Sequence, residues 1–201
     1  FHEESKLVGR KFGEILFGSC TIAWHREPGY FAGTWRASQL HSGGGTLITQ
    51  GSHSLDILLA AAGGRAVRAW GSTARRRFAD IEVEDLAMGC VETDTGCLLS
   101  VTSSAAVTPE RPAAIVVYGS RATAHWTASS PAKVRGLGAR ARGERLRSGA
   151  APGIPPVRGV HAAARSVEAF RRWVMLGEEP LHTAASTLPV LAVVTTIYAS
   201  A

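Results

Sequence analysis

The polar residues best suited to chemistry in this sequence share one face of a predicted helix. Thr49, His53 and Asp56 stand at i, i+4 and i+7 on a helix that begins near Leu47, a spacing that puts them on one side. A neutral imidazole suits proton transfer near neutral pH, whereas a threonine hydroxyl hydrogen-bonds but takes up no proton there. The pattern indicates either the wall of a site or an amphipathic helix with a polar edge.

Glycines flank this helix on both sides. Gly43–Gly45 precede it, and glycine permits positive φ and close backbone approach. Gly63 and Gly64 follow it, as is typical of a helix C-terminus. Apolar residues recur at helical spacing between the two clusters and predict a side that faces a core. They are Leu47 or Ile48, Leu55, Leu58, Leu59 and Ala62.

The surrounding elements predict an α+β fold with an open-faced, mostly antiparallel β-sheet and helices packed on one face. The predicted strands are Ile15–Trp24, Arg65–Ser72, Leu86–Thr93, Cys97–Ala106, Ala114–Tyr118 and Ala122–Trp126. Asp94-Thr95-Gly96 is the turn of a hairpin. Glu84 and Asp85 open that hairpin, and we interpret the pair as structural.

Two helices are predicted near the end of the chain. The first has an apolar side from Val160 to Val174 and stops at Gly177. The second starts at Thr187, with Pro189 just inside it. We expect a single domain over residues 1–201, in which residues 1–12 are the tail of a helix and residues 129–157 form a Pro/Gly/Arg-rich surface loop.

The net charge of +6 is concentrated in that loop, where six basic residues and one acid lie between Lys133 and Arg147. A basic segment can indicate nucleic acid. This one lacks interleaved aromatics for base stacking, which favours a solvated loop. We therefore expect no nucleic-acid partner. The sequence has no apolar run long enough to cross a bilayer, so we also expect no membrane association.

The three cysteines, Cys20, Cys90 and Cys97, predict a reducing, cytoplasmic location rather than a disulfide framework. Cys90 and Cys97 flank the hairpin turn, and neither a two-residue nor a three-residue loop brings them within bonding distance. Cys and His spacings typical of zinc ligands do not occur in the sequence, so we expect no metal site.

The sequence resembles the Gfo/Idh/MocA oxidoreductases, the glucose-fructose oxidoreductase and inositol dehydrogenase family. Gly43-Gly44-Gly45, Gly51, His53 and Asp56 match the family pattern GGGxxxxxGxHxxD, and Thr34-Trp35-Arg36 lies where the family often carries a Trp-Arg pair. The resemblance runs from Lys6 to Ala201 apart from the basic loop. It corresponds to the second domain of the family, which packs beside a nucleotide-binding Rossmann domain. The sequence contains neither a dinucleotide-binding fingerprint nor the family's Glu-Lys-Pro motif. We therefore expect a fragment or an isolated domain.

The resemblance implies hydride transfer between NAD or NADP, bound mainly by the Rossmann domain, and a sugar or polyol substrate. It places His53 at the position of the family's site histidine and Thr49 where the family often has Asp. The carboxylate of a His-carboxylate relay is therefore missing, and the site either only binds substrate or relies on the lysine of the absent motif. Trp35, Arg36, Gly44, Gly45 and Asp56 are the remaining candidate substrate-binding residues. For Asp56 a structural role is favoured. Arg36 meets either a substrate carboxylate or phosphate, or an acid in a surface ion pair.

Two further interpretations remain open for the whole chain. In the Gfo/Idh/MocA family the open sheet face commonly forms the oligomer interface, so we expect a homo-oligomer through that face. Because Thr49 replaces a carboxylate, the chain is alternatively a non-catalytic binding or oligomerisation module.

Overall fold

One mixed sheet dominates the computed structural model, which describes residues 12–127, 130–136, 144–145, 160–180 and 183–201. Its eight described strands lie in the order β2-β3-β4-β1-β5-β6-β7-β8. They are β1 Ile15–His25, β2 Ala66–Ala74, β3 Leu86–Thr93, β4 Leu98–Ser104, β5 Ala106–Gly119, β6 Ala122–Thr127, β7 Ser130–Gly136 and β8 Glu144–Arg145. Only the pair β1 and β4 is parallel among these strands. The predicted mostly antiparallel α+β fold is confirmed.

Two of the described helices pack on one face of this sheet. The described helices are α1 Gln39–Ser42, α2 Ser52–Ala62, α3 Val160–Leu176 and α4 Ala184–Ser200. Helix α2 packs on β1 and β5. Ile197 of α4 reaches β2 and β3, where Gly71 and Gly89 leave room for its side chain. Leu55 and Leu58 of α2 and Val194 and Ile197 of α4 are fully buried in one apolar core with the inward residues of the strands.

The other face of the sheet is open. Outward positions alternate with buried ones along β1, β3 and β4, as expected for a sheet covered on one side only. Phe17, Met88 and Leu98 are 49%, 57% and 54% exposed on this face. The ring of Phe17 stacks on that of Tyr118 with centroids 4.3 Å apart.

The hairpin between β3 and β4 has the three-residue turn Asp94–Gly96. Across it the backbone N–H of Thr93 donates to the carbonyl of Cys97, and the N–H of Cys97 donates to the hydroxyl of Thr93. Cys90 lies opposite Ser100. All three cysteines are free. Burial raises the pKa of the Cys20 thiol to about 12, so this sulfur stays protonated and unreactive.

Strand β5 is much longer than the predicted strand Ala114–Tyr118, because it begins at Ala106. Pro109 and Pro112 obscured the strand pattern in the sequence. Proline is tolerated where ladder pairing is irregular, and the register between β1 and β5 shifts beyond Thr21.

The expectation of a loop over residues 129–157 is wrong for the described parts of that segment. Ser130–Gly136 pairs with β6 and Glu144–Arg145 pairs with β7. Pro131 falls at a register shift between His125 and Thr127, where its missing N–H does not interrupt the ladder. Residues 129, 137–143 and 146–157 lie outside the described residues, as do residues 1–11 of the predicted N-terminal helix tail.

The chain divides into two compact units, residues 1–146 together with 189–201, and residues 147–188. Helix α3 belongs to the second unit and ends as predicted at Gly177, where φ is +69°. Helix α4 begins at Ala184, so the predicted start at Thr187 is wrong. Thr183 and Ser186 bond each other's backbone N–H groups through their hydroxyls and form the true cap. None of the described helices is long and apolar enough to span a membrane.

Candidate functional site

Three consecutive glycines bring the chain to the site, and each meets a different steric demand. Gly43 ends α1 in the left-handed region, with φ at +74°. Gly44 has a φ of +151°, and a side chain there would overlap the ring of Tyr198. A side chain on Gly45 would overlap the backbone carbonyl of Glu84. Gly44 and Gly45 are buried, so what the structure shows for them is close backbone packing.

A buried carboxylate holds this turn in place. Glu84 accepts hydrogen bonds from the backbone N–H of Gly45 at 2.6 Å and of Leu47 at 2.9 Å. The hydroxyl of Tyr198, from α4, donates to the same carboxylate at 2.8 Å and accepts the N–H of Ile48 at 3.3 Å. We call Glu84 and Tyr198 the turn clamp. Burial raises the pKa of Glu84 despite these donors, and burial together with the Glu84 charge raises the pKa of Tyr198.

The neighbouring Asp85 has a similar structural task. Its carboxylate is fully buried and accepts the backbone N–H groups of Arg76, Arg77 and Phe78 at 2.8 to 2.9 Å. It therefore closes the segment after β2. The hydrogen bonds of Glu84 and Asp85 agree with the structural interpretation of this pair.

The helix that carries Thr49 and His53 starts as a π-helical turn, Leu47–Gly51, and becomes the α-helix α2 only at Ser52. The prediction of a regular α-helix from Leu47 is therefore wrong at its first turn. Contacts from other elements fix this wider turn. The hydroxyl of Ser103 on β4 bonds the hydroxyl of Thr46 at 2.8 Å and donates to its carbonyl at 2.9 Å. The end of α2 before Gly63, with φ at +71°, is as predicted.

Thr49 and His53 differ in their freedom to meet a ligand. Thr49 is half-buried, and its hydroxyl donates to the carbonyl of Gly45 at 2.7 Å, so only its oxygen lone pairs remain for a ligand. His53 is exposed, and within the described part of the chain no hydrogen bond engages its ring. Asp56 is half-buried one turn further along α2. No hydrogen bond joins His53 to Thr49 or Asp56.

A loop from Arg26 to Ala37 lies beside the π-helical turn. The hydroxyl of Tyr30 accepts a hydrogen bond from Gln50 Nε2 at 3.3 Å, which ties the loop to the turn one residue from Thr49. Thr34 caps a short 3-10 turn, Trp35–Ala37, by accepting the N–H of Arg36. Trp35 is 52% exposed, which suits a cleft rim. Phe31 is buried against Phe78 and belongs to a small second core.

Among the described residues, Arg36 does not make the surface ion pair considered from the sequence. Its guanidinium lies over the rings of Tyr30 and Trp35, at 4.8 and 4.7 Å from their centroids. Within residues 12–127 and the other described ranges, no carboxylate lies within ion-pair distance of it.

Sequence reasoning missed three residues that shape this site: Tyr198, Gln50 and Arg26. Tyr198 fits the apolar pattern of the last helix, so the sequence gives no sign of its role. Gln50 lies between Thr49 and His53, which are stronger candidates for site residues. Tyr198 reaches the turn only because the chain folds back over about 150 residues. The acidic pair at residues 84 and 85 was a visible signal, because a charged pair before a buried strand needs partners.

The comparisons with known proteins agree with this architecture. A family model described as the GFO/IDH/MocA C-terminal domain matches residues 6–125. The WlbA dehydrogenase from Bordetella pertussis in complex with NADH and UDP-GlcNAcA superposes with a TM-score of 0.72 and 21% identity, over 99% of this chain and 56% of that one. Levoglucosan dehydrogenase in complex with NADH superposes with a TM-score of 0.78 and 17% identity, over 99% of this chain and 59% of that one. The aldose-aldose oxidoreductase from Caulobacter crescentus complexed with glycerol superposes with a TM-score of 0.73 and 20% identity, over 99% of this chain and 57% of that one.

At these identities the structural likeness concerns the fold. The chain spans little more than half the length of these three structures. None of the curated proteins matches it significantly. The family model, however, covers more than half of the chain and includes the glycine turn, the π-helical turn and α2. The chain therefore belongs to the Gfo/Idh/MocA family, whose C-terminal domain it matches.

Proposed function

We propose that this chain forms the substrate wall of an NAD(P)-dependent oxidoreductase that acts on a sugar, a polyol or a related carbinol. The Gfo/Idh/MocA family is an oxidoreductase family, and the similar solved structures include dehydrogenases holding NADH. The observation that carries the proposal is the exposed ring of His53, placed on a helix whose first turn is fixed by a buried clamp.

Each candidate residue has a role in this proposal. The imidazole of His53 takes the hydroxyl proton of the carbinol during oxidation and returns it during reduction. Thr49 accepts a hydrogen bond from a substrate hydroxyl, Trp35 stacks on a sugar face, and Arg36 binds a polar or anionic substituent. Gly44 and Gly45 shape the turn, and Asp56 supports the helix that carries His53.

In this proposal the glycine turn does not hold the dinucleotide. A dinucleotide site needs a glycine-rich turn between a parallel strand and a helix. Here Gly43–Gly45 follow the short helix α1, and Gly44 and Gly45 pack against Tyr198 and Glu84. NAD or NADP would be held by a Rossmann domain beside this chain, where it accepts or donates a hydride. The residues named above bind the substrate, orient it and move its proton.

The test is turnover of the chain joined to the nucleotide-binding domain of a family dehydrogenase. A panel of sugars and polyols is supplied with NAD or NADP, and reduced cofactor is followed by absorbance. We expect turnover that falls about 100-fold or more in His53→Ala, as is typical for loss of a general base. His125→Ala is the matched control, because His125 is an exposed histidine on β6 with no role in the site. Equal rates in wild type and His53→Ala would reject the proposal.

A second candidate is a binding module that assembles without catalysis. It is favoured by Thr49, whose hydroxyl cannot take up a proton near neutral pH. It is also favoured by the exposed apolar side chains of the open sheet face. In this form the chain pairs with a second copy through Phe17, Met88 and Leu98. Turnover that depends on His53 would reject this second candidate as the main function.

A further inference from the structure

Five side chains beside the candidate site are linked by cation–π contacts in which aromatic rings alternate with guanidinium groups. The guanidinium of Arg26 lies 4.8 Å from the ring centroid of Trp24 and 5.3 Å from that of Tyr30. The guanidinium of Arg36 lies 4.8 Å from the Tyr30 centroid and 4.7 Å from the Trp35 centroid. We call these five residues the arginine ladder.

The ladder carries more positive charge than its neighbours neutralise. Arg36 has no carboxylate within ion-pair distance in the described ranges. The nearest carboxylate to Arg26 is Glu110, at 3.9 Å, which is the limit of an ion pair, and one Arg26 N–H is given to the carbonyl of His25. Glu27 is engaged with His25 at 2.9 Å. A group with negative charge is therefore attracted to the ladder, above all at Arg36.

The shape of a guanidinium also indicates which acceptor it suits. It is planar and carries its N–H donors in that plane, so it can offer two donors side by side to a two-pronged acceptor. Apart from its stacking on Tyr30 and Trp35, the Arg36 guanidinium makes no interaction with the described residues. Carboxylates and phosphates have the matching pair of oxygens.

The ladder is tied to the candidate site at its centre. Tyr30, which separates the two arginines, accepts the hydrogen bond from Gln50 in the π-helical turn. Trp35, at one end, is the most exposed member and offers an aromatic face next to the donors of Arg36. A sugar ring on Trp35 would thus hold an acidic substituent at Arg36.

We propose that the arginine ladder selects an anionic sugar, one that carries a carboxylate or a phosphate monoester, as the substrate class of this chain. The position of the sugar rests on the proposed function. The charge preference rests on the ladder itself, because no carboxylate of the described residues pairs with the Arg36 guanidinium.

The test measures binding to the purified 201-residue chain by NMR titration of the Trp35 indole. One arm compares D-glucuronate with its methyl ester, which has the same ring without the charge. The other compares glucose 6-phosphate with glucose, so the two arms separate carboxylate from phosphate. We expect at least one anion to bind roughly five- to twentyfold more tightly than its neutral counterpart, as for a charge-assisted hydrogen bond that is partly exposed.

Arg36→Gln should abolish this preference, and Arg36→Lys should restore only part of it, because an ammonium lacks the planar fork. Arg68→Gln is the matched control. Arg68 also lies over an aromatic ring, Trp70, at 4.6 Å, but it pairs with Glu92 and stands on the open sheet face. Thermal unfolding of each variant checks that its fold is intact.

Equal affinity for acid and ester and for phosphate and parent sugar, no detectable binding of either anion, or a preference that survives Arg36→Gln would overturn the inference. The proposed function fails separately. Neutral sugars turned over in a His53-dependent way, with no anion preference, would remove the ladder proposal and leave the oxidoreductase. Anion binding that depends on Arg36, without any His53-dependent turnover, would support the ladder proposal and reject the oxidoreductase function.

Discussion

At the scale of single residues, Glu84 has the most demanding environment around the site. Its carboxyl group is buried and accepts three hydrogen bonds, from the N–H groups of Gly45 and Leu47 and from the hydroxyl of Tyr198. A carboxylate with this many donors is normally stabilised in its charged form, but burial outweighs them and raises its pKa. The folded chain therefore holds a proton on Glu84 more tightly than the unfolded chain does.

This difference predicts a pH dependence of stability with a definite sign. Because the folded pKa of Glu84 lies above its ordinary value of 4.5, the protonated group favours folding, and this contribution is lost as the pH rises through the folded pKa. Glu84→Gln cannot ionise. We expect urea denaturation between pH 4 and pH 7 to show wild type losing stability relative to Glu84→Gln. A difference between the two proteins that stays constant over this range would contradict the assignment.

At the scale of elements, the regular parts of the fold were predictable and the irregular ones were not. Strand β3 was predicted to the residue, and α2 and α3 end at the glycines named from the sequence. The π-helical turn escaped prediction because one turn of apolar residues does not distinguish a pitch of 3.6 from a wider one. Contacts from Ser103 and Glu84, distant in sequence, fix the wider turn.

The candidate site was predictable to the same degree. The spacing of Thr49, His53 and Asp56 was visible in the sequence, and the structure places His53 at the surface, where a ligand can reach it. The contacts of Arg36 with the rings of Tyr30 and Trp35 were not predictable from the sequence. Such contacts across a loop depend on the fold of that loop rather than on residue spacing.

The glycine turn gives a sharp prediction at the element scale. In Gly45→Ala the new methyl group would overlap the carbonyl of Glu84, so either the turn or the start of β3 must move. We expect a loss of about 3 kcal/mol or more in the free energy of unfolding, in line with other overpacked buried sites. Gly29→Ala is the control, because a methyl group there meets nothing within 4 Å. Similar urea midpoints for the two variants would contradict the close approach at Gly45.

At the scale of the whole molecule, the sheet has a covered face and an open face. The covered face supports α2 and α4, and through α2 and the turn clamp it positions His53. The open face presents Phe17, Met88 and Leu98, which are each about half exposed. Exposed apolar side chains on an open sheet face are the basis of the proposed pairing of two copies.

The pairing of copies is testable by a double charge substitution. Met88→Glu with Leu98→Glu would bury two carboxylates at the proposed interface, and losing two large apolar contacts alone costs roughly 3 kcal/mol or more. We expect wild type to sediment as an oligomer and the double variant as a monomer. Leu40→Glu, at a position 86% exposed on α1, should leave the oligomer unchanged. A monomeric wild type, or an oligomer that survives the double substitution, would count against this interface.

In the proposed function, a fixed glycine turn presents the imidazole of His53 to a substrate held beside a nicotinamide. This is tested by kcat/KM of the chain joined to a nucleotide-binding domain, for wild type, His53→Ala and His125→Ala. We expect a fall of about 100-fold or more in His53→Ala alone. Equal values for the two histidine variants would contradict it.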